Sequence, residues 1–154
     1  MTLDILQVGE PALRQRTRPL TVEEIRSPAI QSLIEQMRDT MREAPGVGLA
    51  APQIGQSLQL AVIEDREEYL EGITPAILQE RERTSVPFHV IINPRLTITD
   101  EGPAVFFEGC LSLDSFAALV PRAIAVRVDC LNERGEPQVI QARGWYARIL
   151  QHEI

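Results

Sequence analysis

Glu108-Gly109-Cys110-Leu111-Ser112 and, at the far end of the chain, Gln151-His152-Glu153-Ile154 decide how this sequence is read. The first offers a thiol in a tight, Gly-containing segment. The second offers an imidazole followed at once by a carboxylate. Cys and His are favoured ligands of Zn²⁺ and similar divalent ions, and a neighbouring Glu can act as general base on the water such an ion activates. In a His-Glu-x-x-His helix the second His stands four residues on, where helical geometry puts both rings on one face. Here that position would be 156, past Ile154, the last residue of the sequence.

Working outward, Gly144-Trp145-Tyr146-Ala147-Arg148-Ile149-Leu150-Gln151-His152-Glu153-Ile154 starts a helix. Ala147, Leu150 and Ile154 fall on one stripe, Ile149 and Glu153 on another. A helix this short is marginal alone and must be held by packing, so its last turn is expected to fray. Before it, Ile124, Val126, Val128 and Cys130 alternate as one apolar face of a strand, with Arg127 and Asp129 on the other. Cys130 is a core residue by that pattern. Asn132-Glu133-Arg134-Gly135 is a hairpin turn, with Gly supplying positive φ, and Val139–Ala142 returns. Val105-Phe106-Phe107 leads into Cys110. Two readings of Cys110 stand at this point, a buried structural thiol and a ligand or nucleophile.

Toward the N-terminus, residues 1–20 read as an arm packed on the domain, with a turn at Gly9-Glu10-Pro11 and a solvated face marked by Arg14, Arg16 and Arg18. Thr21-Val22-Glu23-Glu24 has capping-box form. Ser27-Pro28 opens an amphipathic helix of about four turns, with Ile30, Leu33, Ile34, Met37 and Met41 on its buried face. Pro45-Gly46 ends it. In Gly46-Val47-Gly48-Leu49-Ala50-Ala51-Pro52-Gln53, small residues surround one polar side chain, and they let a backbone come close to a substrate or another strand. A tight turn and a ligand-facing strand both fit. No Lys-Ser/Thr follows the glycines, as a phosphate loop requires. Leu58–Glu64 is a strand. Residues 66–85 are strongly charged and read as an exposed insertion, helical around Thr74–Leu78, whose charges form a solvated face. Phe88–Ile92 is a strand closed by Asn93-Pro94, with His89 a satisfied core or edge histidine, and Leu96–Thr99 is a further strand. This order implies an α+β fold, antiparallel and mixed sheets around one C-terminal helix, in a single domain.

Composition narrows the function. The chain has 154 residues, 22 acidic against 15 basic, for a net charge of −7. That argues against general binding to nucleic-acid phosphate. No apolar run approaches the ~20 residues of a membrane span, and the start lacks the regions of a secretory signal. Two Cys are not a disulfide framework, so a reducing, cytoplasmic-type compartment is expected.

Three stretches together resemble the signature motifs of the peptide deformylases, in family order: Gly46–Gln53, Glu108–Ser112 and Gln151–Ile154. Ile5–Arg14 and Leu119-Val120-Pro121-Arg122 are similar to further family segments, so the likeness spans nearly the whole chain. The resemblance implies an α+β fold wrapped around the His-Glu-x-x-His helix. It implies a metal-dependent hydrolase that removes the formyl group from N-formylmethionyl nascent peptides, near the ribosome, in a bacterial-type cytoplasm. Cys110 and His152 would bind the metal, Fe²⁺ in most members, with Zn²⁺, Ni²⁺ or Co²⁺ as replacements. Glu153 would be the general base. Gln53 and the backbone N–H of Leu111 would hold the developing oxyanion, and Val47, Gly48 and Gly109 would line the cleft. The second His of the motif is absent, so the chain is expected to be a deformylase shortened at its C-terminal end. Two other readings are a catalytically inactive relative that binds N-terminal Met peptides and a metalloprotease of the His-Glu-x-x-His type.

Overall fold

Two start signals in the sequence become two helices. The Thr21 hydroxyl accepts from the Glu24 N–H at 3.2 Å while the Glu24 carboxylate accepts from the Thr21 N–H, closing the capping box of α1 (Val22–Arg26). Ser27 caps α2 (Pro28–Glu43), with Pro28 at its first position, where a missing N–H costs nothing. Met37 and Met41 point inward and are fully buried. The computed structural model describes residues 3–7, 16–110 and 113–154, with the backbone alone for 107–110 and 113–119. The expected turn at Gly9–Pro11 and Arg14 lie outside the described residues.

The strands follow in order: β1 (Gly48–Ala50), β2 (Leu60–Asp65), β3 (Val86–Asp100), β4 (Ala104–Cys110), β5 (Leu113–Arg122), β6 (Ala125–Leu131) and β7 (Pro137–Arg143). They form a five-stranded sheet ordered β1-β2-β3-β6-β7 and a separate β4–β5 hairpin. All these pairings are antiparallel. A parallel bridge, Arg18 to Leu58, ties the end of the arm to the chain leading into β2. Helix α5 (Gly144–Glu153) closes the chain.

The large sheet is covered on both faces where β2 and β3 run. Leu60, Val62, Val90 and Ile92 point to Met37 and Met41 of α2. Ala61, Ile63 and Ile91 point the other way, to Ala147, Ile149 and Leu150 of α5. Both sets must be apolar, so these strands read as unbroken apolar runs. Strand β6 buries only Val126, Val128 and Cys130, all toward α5, which gives the clean alternation seen in its sequence.

Three expectations need correction. Residues 88–92 and 96–99 belong to one strand. Asn93 adopts a left-handed backbone (φ 52°), which inserts an irregularity between Ile92 and Arg95 without ending the strand. Its side chain bonds both the N–H and C=O of Leu20, each at 2.8 Å, which holds the bulge in place. The first half of β3 therefore pairs with β2 and the second with β6.

The insertion is helical in two places, α3 (Glu67–Leu70) and α4 (Pro75–Glu80). Not all its charges are solvated. Arg83 donates twice to Asp65, at 2.9 and 3.0 Å, with the Asp65 side chain 1% exposed. A loop that leaves β2 at Asp65 and rejoins the sheet at its register partner Val86 is thus pinned at its neck. In α5, Ile154 does not join the buried stripe and is exposed, while Arg148 is buried.

His89 is satisfied, as expected. Its Nε2 lies 2.9 Å from the Tyr146 hydroxyl and its Nδ1 2.9 Å from the Pro87 carbonyl. A carbonyl only accepts, so Nδ1 carries the proton and Nε2 accepts from Tyr146. Burial pushes the His89 pKa down and the Tyr146 pKa up to about 12.

Removing one partner of the neck ion pair strands a buried charge, so Asp65→Ala lowers the unfolding free energy by about 3 kcal/mol in urea titrations. His89, depressed below its unfolded value of about 6.5, contributes stability that is present above that pH and lost as pH falls toward the folded value. Between pH 7.5 and 5.5 the parent's urea midpoint therefore falls more than that of His89→Gln. Parallel midpoints would contradict this assignment.

Candidate active site

The last turn of α5 is helical through Glu153, and Gln151 ties it to neighbouring backbone. Its Oε1 accepts from the Ala123 N–H at 2.9 Å, and its Nε2 donates to the carbonyls of Ala123 (2.8 Å) and Ala147 (3.1 Å). The Ile154 N–H continues the ladder to Leu150. His152 and Glu153 thus stand on an ordered turn facing different neighbours.

Glu153 faces β1. A Cβ built on Gly48 would lie 2.7–2.9 Å from the Glu153 Cγ, Cδ and Oε1, so a side chain at 48 would displace this carboxylate from the strand. Just beyond β1, a 3-10 turn (Ala51–Ile54) carries Gln53. Gln53 is buried, and its Oε1 accepts from the Ala50 N–H at 2.9 Å. That bond fixes the amide's orientation and makes the opposite end its donor end. The Val47 carbonyl accepts from Glu64 at 3.0 Å, tying the start of this segment to β2. Ala50, Pro52, Glu153 and Ile154 also line a cleft of about 290 Å³. Within 46–53, residues Gly48–Ala50 form a strand, and the glycine at 48 makes room for Glu153.

His152 faces the hairpin. Its Nδ1 lies 3.4 Å from Nη2 of Arg122 on β5. A guanidinium only donates, so Nδ1 accepts here and the proton of the neutral ring sits on Nε2; to ligate a metal, one ring nitrogen must give up its present partner or its proton. The donor types suit a divalent ion of borderline softness, a Cys and a His beside a carboxylate. Among the described residues there is no group of three or more His, Cys, Asp and Glu that could hold an ion. The backbone of β4 ends at Cys110, paired with Leu113, and Gly109 pairs with Ala117. The Cys110 side chain and Leu111 lie outside the described residues.

Sequence reasoning missed Arg148, one turn before His152. It is 3% exposed and donates to the carbonyls of Ala104 (2.5 Å), Val120 (2.8 Å) and Phe106 (3.4 Å). Its guanidinium also packs on the Phe106 and Trp145 rings. The hairpin that ends in Cys110 is thereby bracketed to the helix that ends in His152-Glu153. The available signal was a charge inside the apolar run Ala147–Leu150.

Comparison with known proteins agrees with this arrangement. The family model described as polypeptide deformylase matches residues 2–154. Peptide deformylase 1A, chloroplastic, from Solanum lycopersicum is 45% identical over 150 residues, covering 97% of this chain and 54% of that protein. Peptide deformylase 1 from Bifidobacterium longum is 44% identical over 151 residues, covering 98% and 66%. This chain thus spans about half to two-thirds of their length. A crystal structure of class I type b peptide deformylase from Acinetobacter baumannii, with Met-Ala-Ser bound, superposes with a TM-score of 0.86 at 28% identity, covering 99% and 91%. A family match that runs through the Gly48, Gln53 and His152-Glu153 segments alike leaves one assignment: this chain belongs to the polypeptide deformylase family.

Proposed function

We propose that this protein is a metal-dependent amide hydrolase that removes the formyl group from N-formylmethionyl peptides newly made on the ribosome and releases formate. The observation that carries the reading is the seat of Glu153 on Gly48, which brings the His-Glu pair against the segment bearing Gln53. The bound Met-Ala-Ser of the Acinetobacter relative supports a methionyl peptide as the ligand class. The compartment would be a bacterial-type cytoplasm. Among the described residues no helix is long and apolar enough to cross a membrane.

Cys110 and His152 would hold the divalent ion, Fe²⁺ in our reading. When bound, it supplies Lewis acidity that polarises the formyl carbonyl and lowers the pKa of water at the site. Glu153 takes the proton of the attacking water and returns it to the leaving amine. The Gln53 NH₂, aimed away from Ala50, donates to the formyl oxygen as negative charge gathers there, and the Leu111 N–H is the second donor. Val47, Gly48 and Gly109 line the path of the peptide backbone. The carbonyl of Val47 accepts from the Glu64 N–H, which fixes this edge of the segment against β2.

The test is formate release from a formyl-Met tripeptide by the 154-residue chain loaded anaerobically with Fe²⁺ or Ni²⁺. It is run beside a chain extended past Ile154 by Asp-His and a helix end. Formate from either supports the reading, and none from both, with both folded, overturns it. In whichever chain is active, Glu153→Gln reduces kcat about 10³-fold at unchanged metal content. Gly48→Ala pushes the Glu153 carboxylate aside and lowers kcat about 10²-fold, with a smaller effect on unfolding.

A further inference from the structure

The helix that carries His152-Glu153 begins without a local cap. Arg143 holds its N-cap position and makes no side-chain cap bond. At 10 residues, such a helix needs outside support. That support comes from the return end of the insertion. The Glu82 carbonyl accepts from the Trp145 N–H at 3.4 Å, and the Glu82 carboxylate takes a bond from Arg143 at 3.1 Å. A negative charge at a helix N-terminus is favourable. The fit is close. A Cβ on Gly144 would lie 2.8 Å from the Glu82 carbonyl oxygen, and Glu82 itself adopts φ 49° to reach this place.

The residues on either side of Glu82 fasten it. Arg81 and Arg83 set their guanidinium groups 4.7 and 5.4 Å from the centre of the Trp145 ring. Arg81 also lies 5.6 Å from the Phe106 ring. Arg83 spends its donors on Asp65, at the end of β2. One short segment thus joins the central sheet, the hairpin and the first turn of α5.

We propose that the insertion, through Glu82, Arg83 and Trp145, is a brace that caps the helix and sets the position of His152 and Glu153 two turns further on. These are positioning residues. None of them lines the cleft beside Glu153. The proposal rests on the reading of His152 and Glu153 as the catalytic pair.

Trp145 is the sole tryptophan, so its emission reports on the brace directly. The test compares Arg83→Gln, Arg83→Lys and the milder Arg81→Gln with the parent by amide hydrogen exchange, Trp emission and formyl-peptide kinetics. In Arg83→Gln, exchange across Trp145–Glu153 rises about tenfold more than across β3 and β6, as expected for local opening. Trp145 emission shifts to the red. The kcat falls while KM stays within about twofold, because binding contacts are untouched. Arg83→Lys recovers part of each effect, and Arg81→Gln shows a smaller change of the same kind. Helix and sheet loosening in equal proportion, or unchanged protection of α5, would overturn the brace. If neither the parent nor the extended chain releases formate while exchange still rises in α5 alone, the brace stands and the functional reading fails.

Discussion

Arg148 is a full positive charge with almost no access to water, and the arrangement of the second half of the chain depends on how that charge is accommodated. Removing an ion from water costs several kcal/mol, and the cost is offset only by well-placed partners. Here the carbonyls of Ala104, Phe106 and Val120 and two aromatic faces supply them. Those carbonyls come from both strands of the hairpin, so the fork of one guanidinium fixes where β4 and β5 lie along α5. A lysine would keep the charge but not the planar fork or the stacking.

Much of the fold is legible before any coordinates, and the reasons are local. Thr21 and Glu24 sit three apart and cap one another wherever a helix starts. Alternation in Ile124–Cys130 requires only one covered face. The errors occur where a distant partner decides the outcome. Asn93-Pro94 looks like the end of a strand, because nothing nearby shows that Leu20 will bond the Asn93 side chain and hold a bulge. Arg83 looks like one more charge in a solvated run, because Asp65 lies eighteen positions away. Ile154 fits the apolar stripe of α5 by spacing, yet the stripe runs out of neighbours before it reaches that residue.

The candidate site divides in the same way. His152, Glu153, Gln53 and Gly48 stand out as motif residues, and the motif resemblance supplies their proposed roles. What glycine at 48 provides becomes plain only when Glu153 is seen lying against it. Gln151 looks like an incidental polar residue before His152. Its three bonds to backbone groups tie the last turn to Ala123 and Ala147. Arg148 carries no sequence signal beyond a charge near apolar residues, since backbone carbonyls brought close by the fold are among its partners; Arg122 lies in a family-like segment, but its approach to the His152 ring is seen only in the fold.

The β4–β5 hairpin interrupts the large sheet without belonging to it: β3 is hydrogen-bonded to β6, and the chain between them leaves to form a separate ribbon. Cys110 ends a strand of that ribbon, while His152 rides on a helix packed against the sheet. An ion held by both residues would be a clasp between two bodies that are otherwise joined by side-chain contacts and the connecting chain. Metal occupancy and hairpin docking would then be linked equilibria, each raising the other by the same free energy. Loss of the ion would register first as loosening of the ribbon, well before the sheet itself came apart.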